Sequence, residues 1–318
     1  NFRSDVVKRL GLDYESLREA KPDLVMINVT GFGQTGPWRN YGAFARTIDG
    51  YTGLSHLTGY VGGPPLRANP TYMDTTGGMN NFQAIMMGLF HRDNTGQSIH
   101  IDASMYEAGI SAVGPALVDI QRTGQSPPRA GNRHSWMAPH GCYPCKGDDR
   151  WVVIAVNSDE AWRAAREAMG DPAWAQDPRF DSVKGRWDHQ DEMDPFIAEW
   201  TSQRDSYEVF HLLQKSGVAA GPVLNGKDLL LDPQLQEVGV FDRFTHDEER
   251  VGTRIYQGRP YKMSRTPGSM DFVSHFGQDN RYVLSELLGL GDGEVQSLLE
   301  QGVIADDPDE EEKDPPPS

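Results

Sequence analysis

The chain of 318 residues contains only two cysteines, Cys142 and Cys145, and therefore a single CxxC spacing. A disulfide framework that holds a small secreted domain together needs more cysteines than this. His134 and His140 lie nearby, so a zinc site is conceivable. Structural zinc sites usually carry a second closely spaced ligand pair, and a redox CxxC opens a helix, whereas this pair enters a predicted hairpin. We therefore expect two buried thiols in a reducing cytosol and no metal.

Long apolar runs are also absent. The sequence has no run of about 18 apolar residues, the length needed to span a bilayer. Its first residues also lack the pattern of a signal peptide, in which a charged segment is followed by an apolar one. These absences favour a cytoplasmic protein without a membrane partner. With 37% hydrophobic residues, the chain can still bury a sizeable core in one or two domains.

Basic residues are scarce, because 30 Lys and Arg stand against 46 Asp and Glu, and the formal net charge is -16. Phosphate contacts need a basic face, so nucleic acid is disfavoured as a partner. Only 8 of the basic residues are Lys, and 29 of the acidic ones are Asp. A high-salt cytoplasm and a merely acidic, Arg-using proteome would both produce this bias. Seven acidic residues crowd the end of the chain, which predicts a disordered acidic tail over 305–318.

The pattern of apolar residues predicts alternating strands and helices over residues 1–125. A short apolar run at 24–29 is typical of a buried strand in a parallel sheet, and residues 97–102 are interpreted as another strand. Helices are predicted around both segments, including one that begins after Asp13 as its N-cap and one that runs from Phe44 to Leu57. This alternation predicts a Rossmann-like, doubly wound α/β large domain.

The composition shifts after residue 125. Residues 126–138 form a polar, Gly- and Pro-rich connection, which predicts a linker. Two apolar segments then flank the turn KGDD and predict an antiparallel hairpin, followed by helices. We therefore expect a smaller α+β domain over 139–225. Residues 226–304 are interpreted as a linker and a C-terminal return to the large domain.

Asp74 stands where the approach GGPPLRANPTYM meets the helical pattern TTGGMNNFQAIMMGLFHR, a position that predicts a helix N-cap. The helix dipole favours a negative charge there, and Gly77 and Gly78 leave room for a ligand. An accessible carboxylate of this kind is a candidate nucleophile toward an acyl group. The local pattern by itself favours the simpler interpretation that Asp74 only caps the helix. Spacings of three, four and seven predict a buried apolar face made of Met79, Phe82, Ile85, Met86, Leu89 and Phe90.

Seven motifs occur in a fixed order: NFRSDVVKRLGLDYESLREAKPDLVMINVTGFGQTGPW, PLRANPTYMDTTGGM, LFHRDNTGQSIHIDASMYEA, DPRF, SGVAAGPV, DPQLQEVGVF and SRTPG. Together they resemble the class III CoA-transferases, the family of formyl-CoA transferase and crotonobetainyl-CoA:carnitine CoA-transferase, from Asn1 to about Ile304. The resemblance implies an enzyme that moves CoA from an acyl-CoA thioester to a free carboxylic acid. Asp74 would be the nucleophile, passing through an aspartyl anhydride and an aspartyl-CoA thioester. No permanently bound cofactor is implied, since CoA is a substrate.

The same resemblance implies which residues surround the substrates and how the chains assemble. The residues that match family positions in contact with CoA are Asn1, Phe2, Arg3, Arg9 and Phe44. Backbone N–H groups at the helix start, including those near Gly77 and Gly78, would stabilise oxyanions. Gly131 and its neighbours would help to cover the site from water. The family also forms an interlocked homodimer.

Two departures from the family pattern leave alternatives open. Family members often read Gly-Tyr-Asp where this chain has Ala43, Phe44 and Ala45, and the related 2-methylacyl-CoA racemases carry Gly-His-Asp. Phe44 cannot transfer a proton, which places a racemase behind a transferase. In the family, the Asn-Phe-Arg motif follows a first portion of the Rossmann-like fold, so we expect that N-terminal portion to be missing here. A non-catalytic CoA-transferase-like subunit is the remaining alternative.

Overall fold

The computed structural model describes residues 1–67, 72–246, 251–268 and 276–305. The chain divides into two compact units, Asn1–Val223 and Leu224–Ser318. The predicted acidic tail lies outside the described residues from residue 306 onward. The finer division at residues 125 and 138 stays a prediction.

Among the described residues, seven α-helices and two strands lie in the first part of the first unit. The helices are α1 (Ser4–Arg9), α2 (Tyr14–Ala20), α3 (Ala45–Tyr51), α4 (Leu54–Leu57), α5 (Tyr72–Thr95), α6 (Met105–Ile110) and α7 (Gly114–Thr123). The strands are β1 (Val25–Thr30) and β2 (Ile99–Ser104). Asp13 caps α2, as the sequence predicts, by accepting a hydrogen bond from the Ser16 N–H. The predicted helix over 44–57 is divided in two, because Gly53 adopts a φ of +82° between α3 and α4.

Strands β1 and β2 are parallel and pair from Val25↔Ile99 to Thr30↔Ser104. Parallel neighbours require a long crossover connection, and here that connection contains α5. Both strands agree with the segments predicted for them, 24–29 and 97–102, shifted by one or two residues. The mixed α/β class is confirmed, while the larger doubly wound sheet stays a prediction.

Helix α5 approaches this sheet through a glycine. A Cβ atom at Gly88 would lie 2.9 Å from Val25 Cγ1 and 3.1 Å from Ile101 Cδ1, so a side chain there would press into the strands. At the start of the helix, the Met73 side chain is fully buried with Ile48. These contacts decide which side of α5 faces the core.

The predicted buried face of α5 is therefore wrong. Met79, Phe82 and Phe90 expose 65%, 65% and 73% of their surface, while Ile85 and Leu89 are half-buried. Apolar residues occupy several sides of this helix, and periodicity by itself does not identify the side on which a glycine allows closest approach. A broad apolar surface of α5 is left exposed in the chain.

A second, antiparallel sheet of order β3-β4-β5 completes the first unit. Its strands are β3 (His140–Pro144), β4 (Trp151–Ala155) and β5 (Ala219–Pro222). The predicted hairpin is confirmed by the β3–β4 pairing. The helices beside it are α8 (Asp159–Ala168), α9 (Val183–Asp188), α10 (Gln190–Ser202) and α11 (Ser206–Lys215). Its buried core includes Val152, Trp162, Phe180, Ile197, Val209 and Leu213.

Arg186 is fully buried at the edge of this core. Its guanidinium donates to the carbonyl oxygens of Ala138, Phe180 and Ser158 and to Asp159 Oδ1, at 2.9 to 3.1 Å. Burial lowers the pKa of Arg186, and its bond to the Asp159 carboxylate opposes that effect. A buried cation is tolerated because these acceptors replace its water. The network fixes the end of the 126–138 connection to the small core.

The second unit contains α12 (Gly226–Leu231), α13 (Pro233–Val238), the antiparallel strands β6 (Phe241–Thr245) and β7 (Thr253–Gln257), and α14 (Asp292–Glu300). A π-helical segment at Tyr282–Leu287 precedes α14. Among the described helices of the chain, none combines the length and the hydropathy needed to cross a membrane.

Candidate active site

Asp74 lies in the first turn of α5. The helix begins at Tyr72, so Asp74 is its third residue and not the predicted N-cap. A carboxylate in the first turn still benefits from the positive end of the helix dipole. The Asp74 side chain is exposed, whereas its neighbour Met73 is fully buried. The buried neighbour anchors the turn and leaves the carboxylate accessible.

Gly77 and Gly78 lie one turn further along α5. Their N–H groups fall within the helical hydrogen-bond ladder, because only the first N–H groups of a helix lack internal partners. By helix geometry, the N–H groups of Tyr72, Met73 and Asp74 have no acceptor within α5 itself. Gly77 is buried, with its Cβ position 3.5 Å from Met105 Cγ, and Gly78 faces open space. The first-turn N–H groups are therefore better oriented toward an oxyanion than those of Gly77 and Gly78, whose oxyanion role stays a prediction.

Asp49 is a buried acid that the sequence prediction missed. Its side chain is 1% exposed on α3, and Asp49 Oδ2 lies 3.8 Å from Arg67 Nε. Neither carboxylate oxygen has a hydrogen-bond donor among the described residues. Burial raises the pKa of Asp49; the positive charges of Arg67 and Arg46 oppose the rise, and the charge of Asp74 adds to it. The Asp74 carboxylate is therefore close enough for its charge to act on Asp49.

A signal for Asp49 does exist in the sequence. Ala45, Ile48, Asp49 and Thr52 follow the spacing of one helical face, and the structure buries all four. An acid on a buried face is unusual unless it is paired. The partner, however, comes from Arg67, beyond α4, and no local pattern identifies it.

The predicted CoA-contacting residues at the beginning of the chain are exposed. Phe2 is 56% exposed, and Arg3 donates through Nη1 to the Asn40 carbonyl oxygen at 3.3 Å. Arg9 lies in the last turn of α1. Asn1 is exposed as well. These positions are accessible to a ligand, and their contact with CoA stays a prediction.

Phe44 precedes α3 and is 84% exposed. Its N–H donates to Thr47 Oγ1 at 3.0 Å, which holds the start of the helix. The phenyl ring is thus presented to solvent on the helix that carries Asp49. A ring in this position could contact a flat ligand, but it has no group that could move a proton.

Gly131 is joined to the loop before α5. Its φ is +60°, and its N–H donates to the Gly59 carbonyl oxygen at 3.0 Å. Arg129 donates to the Gly63 and His56 carbonyl oxygens at 2.9 and 3.0 Å. The 126–138 connection is therefore attached to residues 56–63 of the segment that leads to Asp74. The predicted role of Gly131 as a cover stays a prediction.

Cys142 and Cys145 are free thiols. Cys145 is buried, and burial raises its pKa to about 11. Burial also raises the pKa of Cys142. High thiol pKa values are typical of inert, structural cysteines. Among the described residues, no group of three His, Cys, Asp or Glu side chains is placed to hold a metal ion.

Comparison with known proteins identifies the family of the chain. The sequence profile of CoA-transferase family III matches residues 1–280. This chain belongs to CoA-transferase family III. It is 32% identical over 309 residues to succinyl-CoA–D-citramalate CoA-transferase of Chloroflexus aurantiacus, covering 96% of this chain and 75% of that protein. It is 34% identical over 235 residues to acetyl-CoA:oxalate CoA-transferase of Acetobacter aceti, covering 74% of this chain and 60% of that protein.

Solved structures share the fold of this chain. A CAIB/BAIF family protein from Brucella suis superposes with a TM-score of 0.80 at 26% identity, covering 90% of this chain and 74% of that one. Rv3272 from M. tuberculosis superposes with a TM-score of 0.70 at 19% identity, covering 85% of this chain and 71% of that one. As a family III CoA-transferase, the chain is an enzyme whose substrates are CoA thioesters.

Proposed function

We propose that this family III CoA-transferase moves CoA from an acyl-CoA thioester to a free carboxylate, with Asp74 as the nucleophile. The observation that carries the proposal is the exposed Asp74 carboxylate in a first helical turn that a buried methionine anchors. A fixed and accessible carboxylate is suited to attack a thioester carbonyl.

The reaction would proceed in four steps without net proton transfer. An Asp74 oxygen attacks the thioester carbonyl carbon, the C–S bond breaks, and a mixed anhydride and the CoA thiolate form. The thiolate attacks the Asp74 carbonyl carbon, which releases the first acid and leaves an aspartyl-CoA thioester. The acceptor carboxylate then attacks the aspartyl carbonyl carbon of that thioester, whose C–S bond breaks to release the CoA thiolate and leave a second mixed anhydride. The thiolate finally attacks the acceptor's carbonyl carbon in this anhydride and breaks its bond to the Asp74 oxygen. Asp74 is regenerated, and the acceptor leaves as its CoA thioester.

The first turn of α5 supports the negative charge that develops in each step. The N–H groups of Tyr72, Met73 and Asp74 are free of internal helical partners, and they lie at the positive end of a helix of 24 residues. Such fixed dipoles stabilise an oxyanion without reorganisation. Water must be excluded, because it would hydrolyse the anhydride.

We propose that the acceptor is a dicarboxylic acid. Relatives are named for D-citramalate, for oxalate and, in Agrobacterium fabrum at 29% identity over 90% of this chain, for succinate and glutarate. All of these acids carry two carboxylates. A second carboxylate offers the enzyme a charged group that is not consumed in the reaction.

We also propose that the chain associates as a homodimer. The exposed apolar side chains on α5 support an assembly that covers them, since contiguous exposed apolar surfaces are rare on isolated proteins. The molecular mass in solution, measured by light scattering, tests this proposal, and a monomer at all concentrations would contradict it.

Substitution of the nucleophile tests the mechanism. Asp74→Asn keeps the size of the side chain but removes its charge, so CoA transfer should be abolished while the fold is kept. Asp93→Asn, at the other end of the same helix, is the matched control, because Asp93 is an exposed residue paired with Arg92. Hydroxylamine with acyl-CoA should modify Asp74 in the wild type, seen as a peptide mass change. Near-normal turnover of Asp74→Asn would refute the mechanism.

A further inference from the structure

The ion pair between Asp49 and Arg67 is unusually incomplete for a buried group. Asp49 is 1% exposed, and its Oδ2 lies 3.8 Å from Arg67 Nε. Among the described residues, both of its oxygens lack a hydrogen-bond donor. A buried carboxylate without donors lowers stability, and a hydrophobic residue at this position would avoid that loss. Such a residue is expected to serve a purpose other than stability.

Packing fixes Asp49 near the start of α5. Ile48 and Met73 are fully buried in one core cluster, and they immediately precede Asp49 and Asp74 in the sequence. The contact is tight, because a Cβ at Gly109 would lie 2.4 Å from Thr52 Cγ2 and 2.5 Å from Met73 Sδ. Helices α3, α5 and α6 are therefore held together at the end that carries Asp74.

The Nη1 and Nη2 groups of Arg67 are suited to binding an anion. Asp49 approaches it on the Nε side, and the Arg67 side chain remains 31% exposed. Within the described part of the chain, its Nη1 and Nη2 groups have no hydrogen-bond partner at all. The guanidinium fork matches a carboxylate with two parallel N–H···O bonds. A cation is also needed here, because a dianionic acceptor would otherwise meet the two carboxylates of Asp49 and Asp74 in a chain of net charge -16.

We propose that Arg67 binds the non-reacting carboxylate of a dicarboxylic acceptor and that Asp49 is the positioning residue that holds Arg67 for this purpose. The inference rests on the proposed transferase function and adds a specificity-determining residue to it. Arg67 would hold the distal carboxylate, since a carboxylate clamped by a guanidinium would lose nucleophilicity. The other carboxylate remains free to attack the aspartyl-CoA thioester.

The experiment compares acceptors that differ only in the second carboxylate. With acetyl-CoA as donor, kcat/KM is measured for succinate against butyrate and for glutarate against valerate. Arg67→Gln should lower kcat/KM for each dicarboxylate about tenfold to hundredfold more than for its monocarboxylate, as expected for lost hydrogen bonds between charged groups. The loss should appear mainly in KM. Arg67→Lys, which keeps the charge without the fork, should recover part of the selectivity.

Asp49→Asn tests the positioning role. The variant keeps the size of the side chain and relieves a buried charge, so it should fold. It should raise KM for succinate more than KM for butyrate, with a smaller change in kcat. A purely structural residue would affect both acceptors equally. Arg122→Gln removes an exposed arginine on α7 that pairs with Asp119, and it should leave the selectivity unchanged.

The outcomes separate this inference from the proposed function. If the wild type transfers CoA from none of acetyl-, butyryl- and succinyl-CoA to any of the acids, the transferase proposal is refuted. If the wild type transfers CoA but Arg67→Gln lowers kcat/KM equally for dicarboxylates and monocarboxylates, the proposed role of Arg67 is refuted. The transferase proposal is unaffected by that result. Circular dichroism and thermal unfolding verify the fold of each variant. Arg67→Met, which keeps an unbranched apolar stem, replaces the Gln variant if that one does not fold, and the same loss of selectivity is expected.

Discussion

Gly88 lies so close to Val25 that a Cβ atom on the glycine would sit 2.9 Å from Val25 Cγ1. The distance is shorter than a normal carbon–carbon contact, and Val25 belongs to a strand that pairs along its whole length. Helix α5 can therefore approach the parallel sheet only because residue 88 has no side chain. This contact fixes the orientation of the helix that carries Asp74.

Gly88→Ala should destabilise the protein. Overpacking costs about 1 to 3 kcal/mol, which exceeds the roughly 0.5–1 kcal/mol that alanine gains over glycine inside a helix. Gly78→Ala on the same helix is the matched control, because its Cβ would have no atom within 4 Å. Measured by chemical denaturation, the free energy of unfolding should be lower than that of the wild type for Gly88→Ala and higher for Gly78→Ala. Equal stabilisation by both would show that α5 does not pack on the sheet through Gly88.

Asp49→Asn should change how stability depends on pH. Because burial raises the pKa of Asp49 above the ordinary value of 3.8, the folded state binds its proton more tightly than the unfolded state. The stability that protonated Asp49 contributes is fully present below pH 3.8. It is lost as the pH rises through the pKa of Asp49 in the folded state. The melting temperature of the variant minus that of the wild type should therefore become more positive as the pH rises above about 4.

Asp13→Asn provides the opposite case. Hydrogen bonds from the Ser16 hydroxyl and N–H lower the pKa of Asp13, so its charge contributes stability above 3.8 that is lost as the pH falls. The difference in melting temperature should become more negative as the pH rises. A pH-independent difference for Asp49→Asn would show that its carboxyl group is not desolvated in the folded protein.

Arg9→Ala should raise KM for acyl-CoA more than it lowers kcat. A contact with a CoA phosphate is made equally in the ground state and the transition state, so its loss weakens binding without slowing the chemical step. Steady-state kinetics at low salt measure the two constants. Arg18→Ala serves as control, since Arg18 pairs with Glu15 on α2. An unchanged KM in Arg9→Ala would place CoA elsewhere.

Deuterium exchange distinguishes transfer from racemisation. A racemase exchanges the α-proton of its substrate with solvent, whereas transfer through an aspartyl anhydride breaks no C–H bond. In deuterated water, with a chiral 2-methylacyl-CoA and no acceptor acid, we expect no deuterium at the α-carbon by mass spectrometry. Addition of a suitable carboxylate should then move CoA to it. Asp74-dependent deuterium incorporation without movement of CoA would support the racemase instead.

The sequence by itself determined the family and much of the local structure. Ordered motifs over most of the chain indicated a class III CoA-transferase, and the family profile agrees. The N-cap at Asp13 and the hairpin of β3 and β4 followed from the sequence because capping and turn chemistry depend on residues a few positions apart. For the same reason Asp74 could be placed at a helix start, although the predicted first helical residue, Thr75, lies three residues after the observed one.

Only the tertiary structure decided which groups meet across the chain. Periodicity suggested a buried face of Met79, Phe82 and Phe90 on α5, but the close approach at Gly88 turned those side chains outward. The pairing of Asp49 with Arg67 depends on how α3, α4 and the following loop fold back on one another. A pattern along one helix specifies which side chains share a face, whereas the partner of that face depends on long-range packing that the pattern does not contain.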